Sequence, residues 1–205
     1  MVSSSRRVRG IAVVLVALGM LFMAAQPVGA ATAKVGSKLT NGLFPSNAYP
    51  GQLCDHEIDG GSDSYACTWI LNQAYGTGGT ATAPQNGTIN KLKIIGGQGG
   101  SFKFVIAQKS GSSFKVLSRS ANITYPTDPC NNNGGCTIRK ISIAPQAIKT
   151  GNYIGIQATK VSFLRCDSGG ARINLFTPVL NPGGGFVNPT DTSGCFMLLQ
   201  AVYAP

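Results

Sequence analysis

The sequence predicts an all-β fold: an antiparallel two-sheet β-sandwich with jelly-roll or Greek-key-like connections, stapled by disulfides and containing little or no helix. Three observations predict it. Apolar and polar residues alternate along most segments after residue 85, which is typical of half-buried strands. Glycine is abundant, at 27 of 205 residues, and clusters between those segments. Only 12% of the residues are charged and 43% are hydrophobic, so the chain has the side chains that a folded core requires.

Seven segments show the alternation of strands. They are residues 88–95, 101–109, 114–116, 141–143, 154–158, 172–177 and 195–203. The last is apolar enough to be a central strand. Residues 96–100 and 110–112 are short enough for hairpins, whereas residues 127–135 and 180–194 are longer crossings rich in proline and glycine. The pattern therefore favours a sandwich over a helical bundle.

The amino terminus has the pattern of an export signal. It contains three arginines, Arg6, Arg7 and Arg9. An apolar run at residues 11–25 and small residues at 28–30 follow. Because the run is shorter than the ~20 residues that span a bilayer, we expect residues 1–30 to be cleaved and the protein to be secreted, without membrane insertion. Their removal lowers the net charge from +10 to +7.

After the signal we expect two parts. Residues 31–53 are predicted to form an extended arm or an edge strand, and residues 54–205 a single β-sandwich domain.

Six cysteines follow the signal: Cys54, Cys67, Cys130, Cys136, Cys166 and Cys195. An even count behind an export signal predicts disulfides, with the connectivity open. Nearest-neighbour pairing joins the first to the second, the third to the fourth and the fifth to the sixth.

Three stretches resemble a known group of proteins. They read APQNGTI at residues 83–89, FKFV at 102–105 and IKTGNYIGI at 148–156. They are similar to uncharacterised, secreted, glycine-rich β-sandwich proteins of high-GC soil bacteria, in which a small-residue turn feeds a strand and a late strand closes the sheet. The resemblance covers about residues 65–203. It implies the sandwich and secretion, and it implies no activity or site residues.

An acidic segment at residues 55–63 is a candidate calcium loop. Its carboxylates are Asp55, Glu57, Asp59 and Asp63. Their spacing, with Gly60 at the turn, matches the first part of such a loop, but Ala66 stands where a bidentate glutamate is needed. The alternative is a solvated acidic loop that balances a basic surface.

The segment Cys166-Asp167-Ser168-Gly169-Gly170 resembles the nucleophile segment of trypsin-like serine proteases. In that interpretation His56 accepts the proton of Ser168 and Asp128 orients the imidazole. Cys166 stands where that family has a glycine, and a glycine-rich disulfide turn explains the same residues. A serine hydrolase is therefore an alternative function.

Lysines supply a third candidate site. We expect Lys91, Lys93, Lys103 and Lys115 to emerge from consecutive strands on one sheet face. Such a face suits an anionic polymer such as teichoic acid, acidic polysaccharide or extracellular DNA. Lysines on outer faces also keep sheets soluble and discourage edge pairing, which is the alternative.

Three aromatic residues, Tyr65, Trp69 and Tyr75, lie beside the acidic segment and are candidates for stacking on sugar rings. The alternative for Trp69 is a place in the core.

Together the patterns predict a secreted protein without an active site, acting as an extracellular binding or structural module. The alternatives are a weakly calcium-dependent, lectin-like carbohydrate-binding module and the serine hydrolase. The expected partners are extracellular polysaccharide or an anionic cell-wall polymer, with no sequence-specific nucleic acid and no cofactor beyond the candidate calcium.

Overall fold

The computed structural model describes residues 32–42, 52–53, 65–96, 98–127, 136–166 and 170–205. Within these residues the chain is all-β, without a helix, so none of them forms a helix that could cross a membrane. Residues 31–205 cluster as one compact unit. The strands are β1 (Ala33–Gly36), β2 (Gln52–Leu53), β3 (Cys67–Leu71), β4 (Gly87–Ile94), β5 (Gly100–Ser110), β6 (Ser113–Tyr125), β7 (Arg139–Ile148), β8 (Tyr153–Ala158), β9 (Lys160–Val161), β10 (Leu164–Cys166), β11 (Ile173–Phe176), β12 (Asp191–Ser193), β13 (Cys195–Met197) and β14 (Leu199–Ala204).

Two antiparallel sheets dominate the fold, as the alternation predicts. One has four strands in the order β1-β14-β4-β7, and the other has six in the order β12-β11-β3-β8-β5-β6. Two short pairs, β10 with β13 and β2 with β9, complete the described strands. The predicted last strand divides at Leu198, whose amide donates to the Phe163 carbonyl, so that β13 pairs with β10 while β14 enters the four-stranded sheet. β14 is central there, which confirms that part of the prediction.

The connections differ from the prediction at one place. Residues 110–112 form the expected hairpin between β5 and β6, which pair from Gly100↔Tyr125 to Ser110↔Ser113. A hairpin at residues 96–100 is wrong, because β4 and β5 belong to different sheets. Both neighbours of β4 in its sheet, β14 and β7, come from distant parts of the chain. The glycine-rich stretch therefore carries the chain across the sandwich.

The main core lies between the two large sheets. It joins inward side chains of the four-stranded sheet, such as Leu92 and Ile94, to those of the six-stranded sheet, such as Trp69, Phe102 and Phe104, all of which are fully or almost fully buried. Rings of β5 and its neighbours meet edge to face, with the centroids of Phe102 and Phe163 5.3 Å apart. Alternate residues of each strand supply this layer, as period-two burial requires.

A second apolar cluster lies on the other face of the six-stranded sheet. It contains Ile70, Val105, Ala107, Phe114, Val116, Phe176 and Leu180. The segment that follows β11 covers this face: the amide of Leu180 donates to Thr68 Oγ1 at 2.8 Å, and its carbonyl accepts from Gln157 Nε2. Because the polar groups of Thr68 and Gln157 are paired in this way, they can be buried on a sheet face that would otherwise be wet.

One disulfide lies fully within the described residues. Cys166 and Cys195 are bonded and face each other directly across β10 and β13, which confirms the nearest-neighbour pairing for this pair. It closes a loop across a sequence separation of 29, a constraint worth about 3–4 kcal/mol in the loop-entropy model. Cys67 and Cys136 are also disulfide-bonded. Their predicted partners, Cys54 and Cys130, lie outside the described residues.

Strands β3 and β8 approach each other closely at Gly155, which pairs with Ile70. A Cβ atom at this position would lie 2.2 Å from the backbone carbonyl oxygen of Trp69. The backbone of β3 cannot move away alone, because Trp69 is fully buried and its indole Nε1 donates to the Ala158 carbonyl. The absence of a side chain at Gly155 therefore sets how closely the two strands can pair.

The substitution Gly155→Ala is expected to lower the free energy of unfolding by about 2–3 kcal/mol, because the added methyl must displace paired backbone. Urea unfolding followed by tryptophan fluorescence measures the change. Gly185→Ala is the control, since no atom lies within 4 Å of a Cβ built there, and its effect should stay within about 0.5 kcal/mol. Equal midpoints for the two variants would contradict the close approach.

Candidate functional site

A basic surface lies on the outer face of the four-stranded sheet. On β4, Leu92 and Ile94 point into the core and are fully buried, so Lys91 and Lys93, which alternate with them, point outward. The side chain of Lys91 is exposed and that of Lys93 is partly buried. The alternation that builds the core therefore places two lysine side chains on the same outer face, with their Cα atoms about 7 Å apart along the strand.

Strand pairing brings two more lysines to this face. Lys34 of β1 pairs with Val202 of β14, which pairs in turn with Lys91. Lys140 of β7 lies directly opposite Lys93. Residues opposite each other on antiparallel strands share a face, with Cβ atoms about 5 Å apart. We call the four lysines, Lys34, Lys91, Lys93 and Lys140, the basic face.

Lys93 lies at the centre of the basic face, and its pKa shows the effect. The pKa is lowered from the ordinary value of 10.5 by partial burial first, and then by the positive charges of Lys34, Lys140 and Lys91. All three neighbours therefore stand close enough to disfavour the protonated form of Lys93. Within the described part of the chain, four lysine charges therefore lie close together and repel one another.

No described carboxylate relieves this repulsion. Asp191 is the only acidic residue among the described ranges, and it lies on β12, at an edge of the other large sheet, where it pairs with Leu175. The side chains between the lysines are uncharged. Gln200 of β14 is buried, with its Nε2 donating to the Ser37 carbonyl, Val202 of β14 is partly buried, and Ser142 of β7 is exposed.

Two of the predicted lysines are elsewhere, so the expectation that all four share one sheet face is wrong. Lys103 lies on β5 and Lys115 on β6, both in the six-stranded sheet. Lys103 pairs with Asn122 and Gln157, and the Nζ atom of Lys115 lies 4.8 Å from the centroid of the Phe186 ring. The error follows from the crossing after β4, which sends the next two strands to the opposite sheet.

Sequence reasoning missed Lys34 and Lys140. Each alternates with a more buried apolar neighbour, Val35 and Ile141 respectively, so the outward orientation was visible in the sequence. Their proximity to Lys93 was not, because it depends on which strands pair.

The three candidate aromatic residues do not form one platform. Trp69 is fully buried, so its use as an exposed stacking surface is wrong and its place is in the core. Tyr65 is exposed. Tyr75 meets the ring of Phe196 edge to face at 5.2 Å, and the Arg165 guanidinium lies 5.0 Å from its centroid. The packing of Tyr75 thus occupies much of its surface with protein.

The remaining candidates fall outside the described residues. These are the calcium ligands Asp55, Glu57, Asp59 and Asp63 and the hydrolase residues His56, Asp128 and Ser168. In the part of the chain that is described, no three histidine, cysteine or acidic side chains come together as metal ligands. Both hypotheses stay predictions.

The chain matches no model of a known protein family, no curated protein and no solved structure. The geometry of its own residues is therefore the basis for a function.

Substituting Lys34→Gln should raise the pKa of Lys93 toward 10.5, because one of the three repelling charges is removed. Titration of ¹³C-methylated lysines by NMR measures the pKa of Lys93. Lys149→Gln, at an exposed turn, is the control that leaves this pKa unchanged.

Because the pKa of Lys93 is lower in the folded protein than in the unfolded chain, the repulsion is fully present at neutral pH. The free energy of unfolding should then increase as pH rises from the folded pKa toward 10.5. A normal pKa for Lys93 would contradict the clustering.

Proposed function

We propose that the protein is a secreted, non-catalytic module that binds an anionic polymer outside the cell, an acidic polysaccharide or an anionic cell-wall polymer. The observation that carries the proposal is the convergence of three ammonium groups on Lys93 across three strands. A polyanion laid on the basic face replaces this repulsion by attraction and releases its own counterions, which drives binding.

The chemistry of the face suits a polymer recognised by its charge. All four charged groups are lysines, which act as point charges on flexible stems and do not impose the planar, two-pronged geometry of arginine. Gln200, Val202 and Ser142 between them offer no aromatic ring for stacking on a base. This composition favours repeated phosphates or carboxylates over a specific nucleic-acid sequence.

Edge protection accounts for only part of the basic face. Lys34 and Lys140 lie on β1 and β7, the two edge strands of the sheet, where lysine discourages pairing with another molecule. β4, however, lies between β14 and β7 and has no free edge. Edge protection therefore gives no reason for Lys91 and Lys93, and their clustering is what a binding surface needs.

Disulfide bonding supports a location outside the cell. Each of the described cysteines, Cys67, Cys136, Cys166 and Cys195, is disulfide-bonded. Such bonds form and persist in oxidising compartments. An anionic polymer of the cell surface or its surroundings is the partner that such a compartment offers.

The double substitution Lys93→Gln/Lys140→Gln should reduce retention of the protein on insoluble acidic polysaccharide or cell walls by about tenfold or more at 50 mM salt. The reason is that about two phosphate or carboxylate contacts are lost. A pull-down at 50 and 200 mM salt, with neutral cellulose alongside, measures retention and its salt dependence.

The matched control is Lys103→Gln/Lys149→Gln, which removes the same charge away from the basic face and should leave most of the retention. Equal losses in the two double variants would show that net charge alone drives binding and would sink the proposal. Loss of retention on adding a chelator would point instead to the acidic segment at residues 55–63.

A further inference from the structure

A small polar cleft opens where β5 and β6 approach β9. It has a volume of about 140 Å³ and is lined by Gly99, Gly100, Ser101, Tyr125, Thr159, Lys160 and Ser162. At about 30 Å³ for each water molecule, the cleft has room for about five waters. It can therefore seat part of one sugar residue and leave the rest of the ring open to solvent.

The glycines make the cleft open. A Cβ atom at Gly100 would lie 2.8 Å from the hydroxyl oxygen of Tyr125, and one at Gly99 would lie 2.8 Å from the amide nitrogen of Thr127. Any side chain at either position would push into the tyrosine or into the backbone after β6. Tyr125 is almost fully buried and lines the wall of the cleft.

Two hydroxyl protons in the cleft are already committed. Ser162 Oγ donates its single proton to the Gln98 carbonyl. It must therefore accept from the Tyr125 hydroxyl, whose oxygen lies 2.9 Å away. Burial raises the pKa of Tyr125 above its ordinary value of 10.0, so the phenol keeps the proton that it donates. The oxygens of Tyr125 and Ser162 are left as hydrogen-bond acceptors only.

Hydrogen-bond donors lie beside these two acceptors. Lys160 has an exposed side chain that supplies a positive charge with three donors. Ser101 and Thr159 carry hydroxyls that either donate or accept. A bare phosphate or sulfate would place its acceptor oxygens against the committed oxygens of Tyr125 and Ser162. A ligand that fits both halves needs an anionic group for Lys160 and hydroxyl donors for Tyr125 and Ser162.

The cleft is linked to the basic face through hydrogen bonds and strand pairing. Gly99 donates its amide proton to Thr127 Oγ1 at 3.0 Å, and the Thr127 carbonyl accepts from Arg139 Nη2 at 2.9 Å. Arg139 begins β7 and precedes Lys140, which lies opposite Lys93. The cleft and the basic face therefore meet at the same end of the sandwich.

We propose that this cleft binds one carboxylated sugar residue, a hexuronate, with its carboxylate on Lys160 and its ring hydroxyls donating to Tyr125 and Ser162. The inference rests on the proposed function, because the sugar is one residue of the same acidic polymer. It narrows that function: the partner is a uronic acid-containing polysaccharide, and the basic face holds the chain that continues from the cleft.

The test uses the full folded protein and free monosaccharides, followed by ¹H–¹⁵N NMR. D-glucuronate is expected to shift the amide signals of Gly99, Gly100 and Ser101 with a Kd of about 1–10 mM. D-glucose, which lacks the charge, and acetate, which lacks the hydroxyls, should each bind at least about tenfold more weakly. The same spectra show whether each variant is folded.

Three variants separate the roles. Lys160→Gln should weaken glucuronate binding by about tenfold or more, since a charge-assisted hydrogen bond is lost. Tyr125→Phe should reduce the preference for glucuronate over acetate while leaving acetate binding unchanged. Lys149→Gln is the charge-matched control and should bind like the wild type.

No shift of the cleft amides at 50 mM glucuronate, equal binding of glucose or acetate, or an unaffected Lys160→Gln variant would overturn the inference. Polymer retention that still depends on Lys93 and Lys140 would then leave the proposed function standing. Glucuronate binding in the cleft without retention on the basic face would overturn the proposed function instead.

Discussion

Burial of alternate side chains between the two large sheets determines which groups of this molecule face water. On β4, Leu92 and Ile94 are fully buried, and each contributes about 1.5–3 kcal/mol by leaving water. A shift of one residue in the pairing of β4 would turn these side chains outward and force Lys91 and Lys93 into the core, at a much larger cost. The basic face is thus fixed by the same packing that stabilises the fold.

Local patterns in the sequence predicted the strands well but not their neighbours. Alternation identified the positions of β4, β5 and β8 and the outward direction of Lys91 and Lys93, because period-two burial is a property of a single strand. The arrival of Lys34 and Lys140 beside them depends on pairing between strands far apart in the chain. No local pattern carries that information, so half of the basic face was out of reach of the sequence.

The errors have a common physical origin. The glycines among residues 96–100 indicate a backbone that can turn freely, and such a segment can form a hairpin or cross between sheets equally well. Because a hairpin was predicted there, Lys103 and Lys115 were assigned to the wrong sheet. Trp69 was a candidate for stacking because it follows the acidic segment, but it lies in the main core between the sheets, as the alternative predicted. β3 is buried on both faces. The outer face, which carries Ile70, is dry because the segment around Leu180 folds over it, a long-range contact that hydrophobic periodicity does not report.

That covering segment makes the two sides of the sandwich unequal. The six-stranded sheet is covered on its outer side by Leu180 and its neighbours, whereas Lys91 and Lys140 on the outer side of the four-stranded sheet are exposed. Among the described residues, the clustered lysines of the basic face therefore lie on the side of the sandwich that the covering segment leaves open, and a long anionic ligand would reach them from that side.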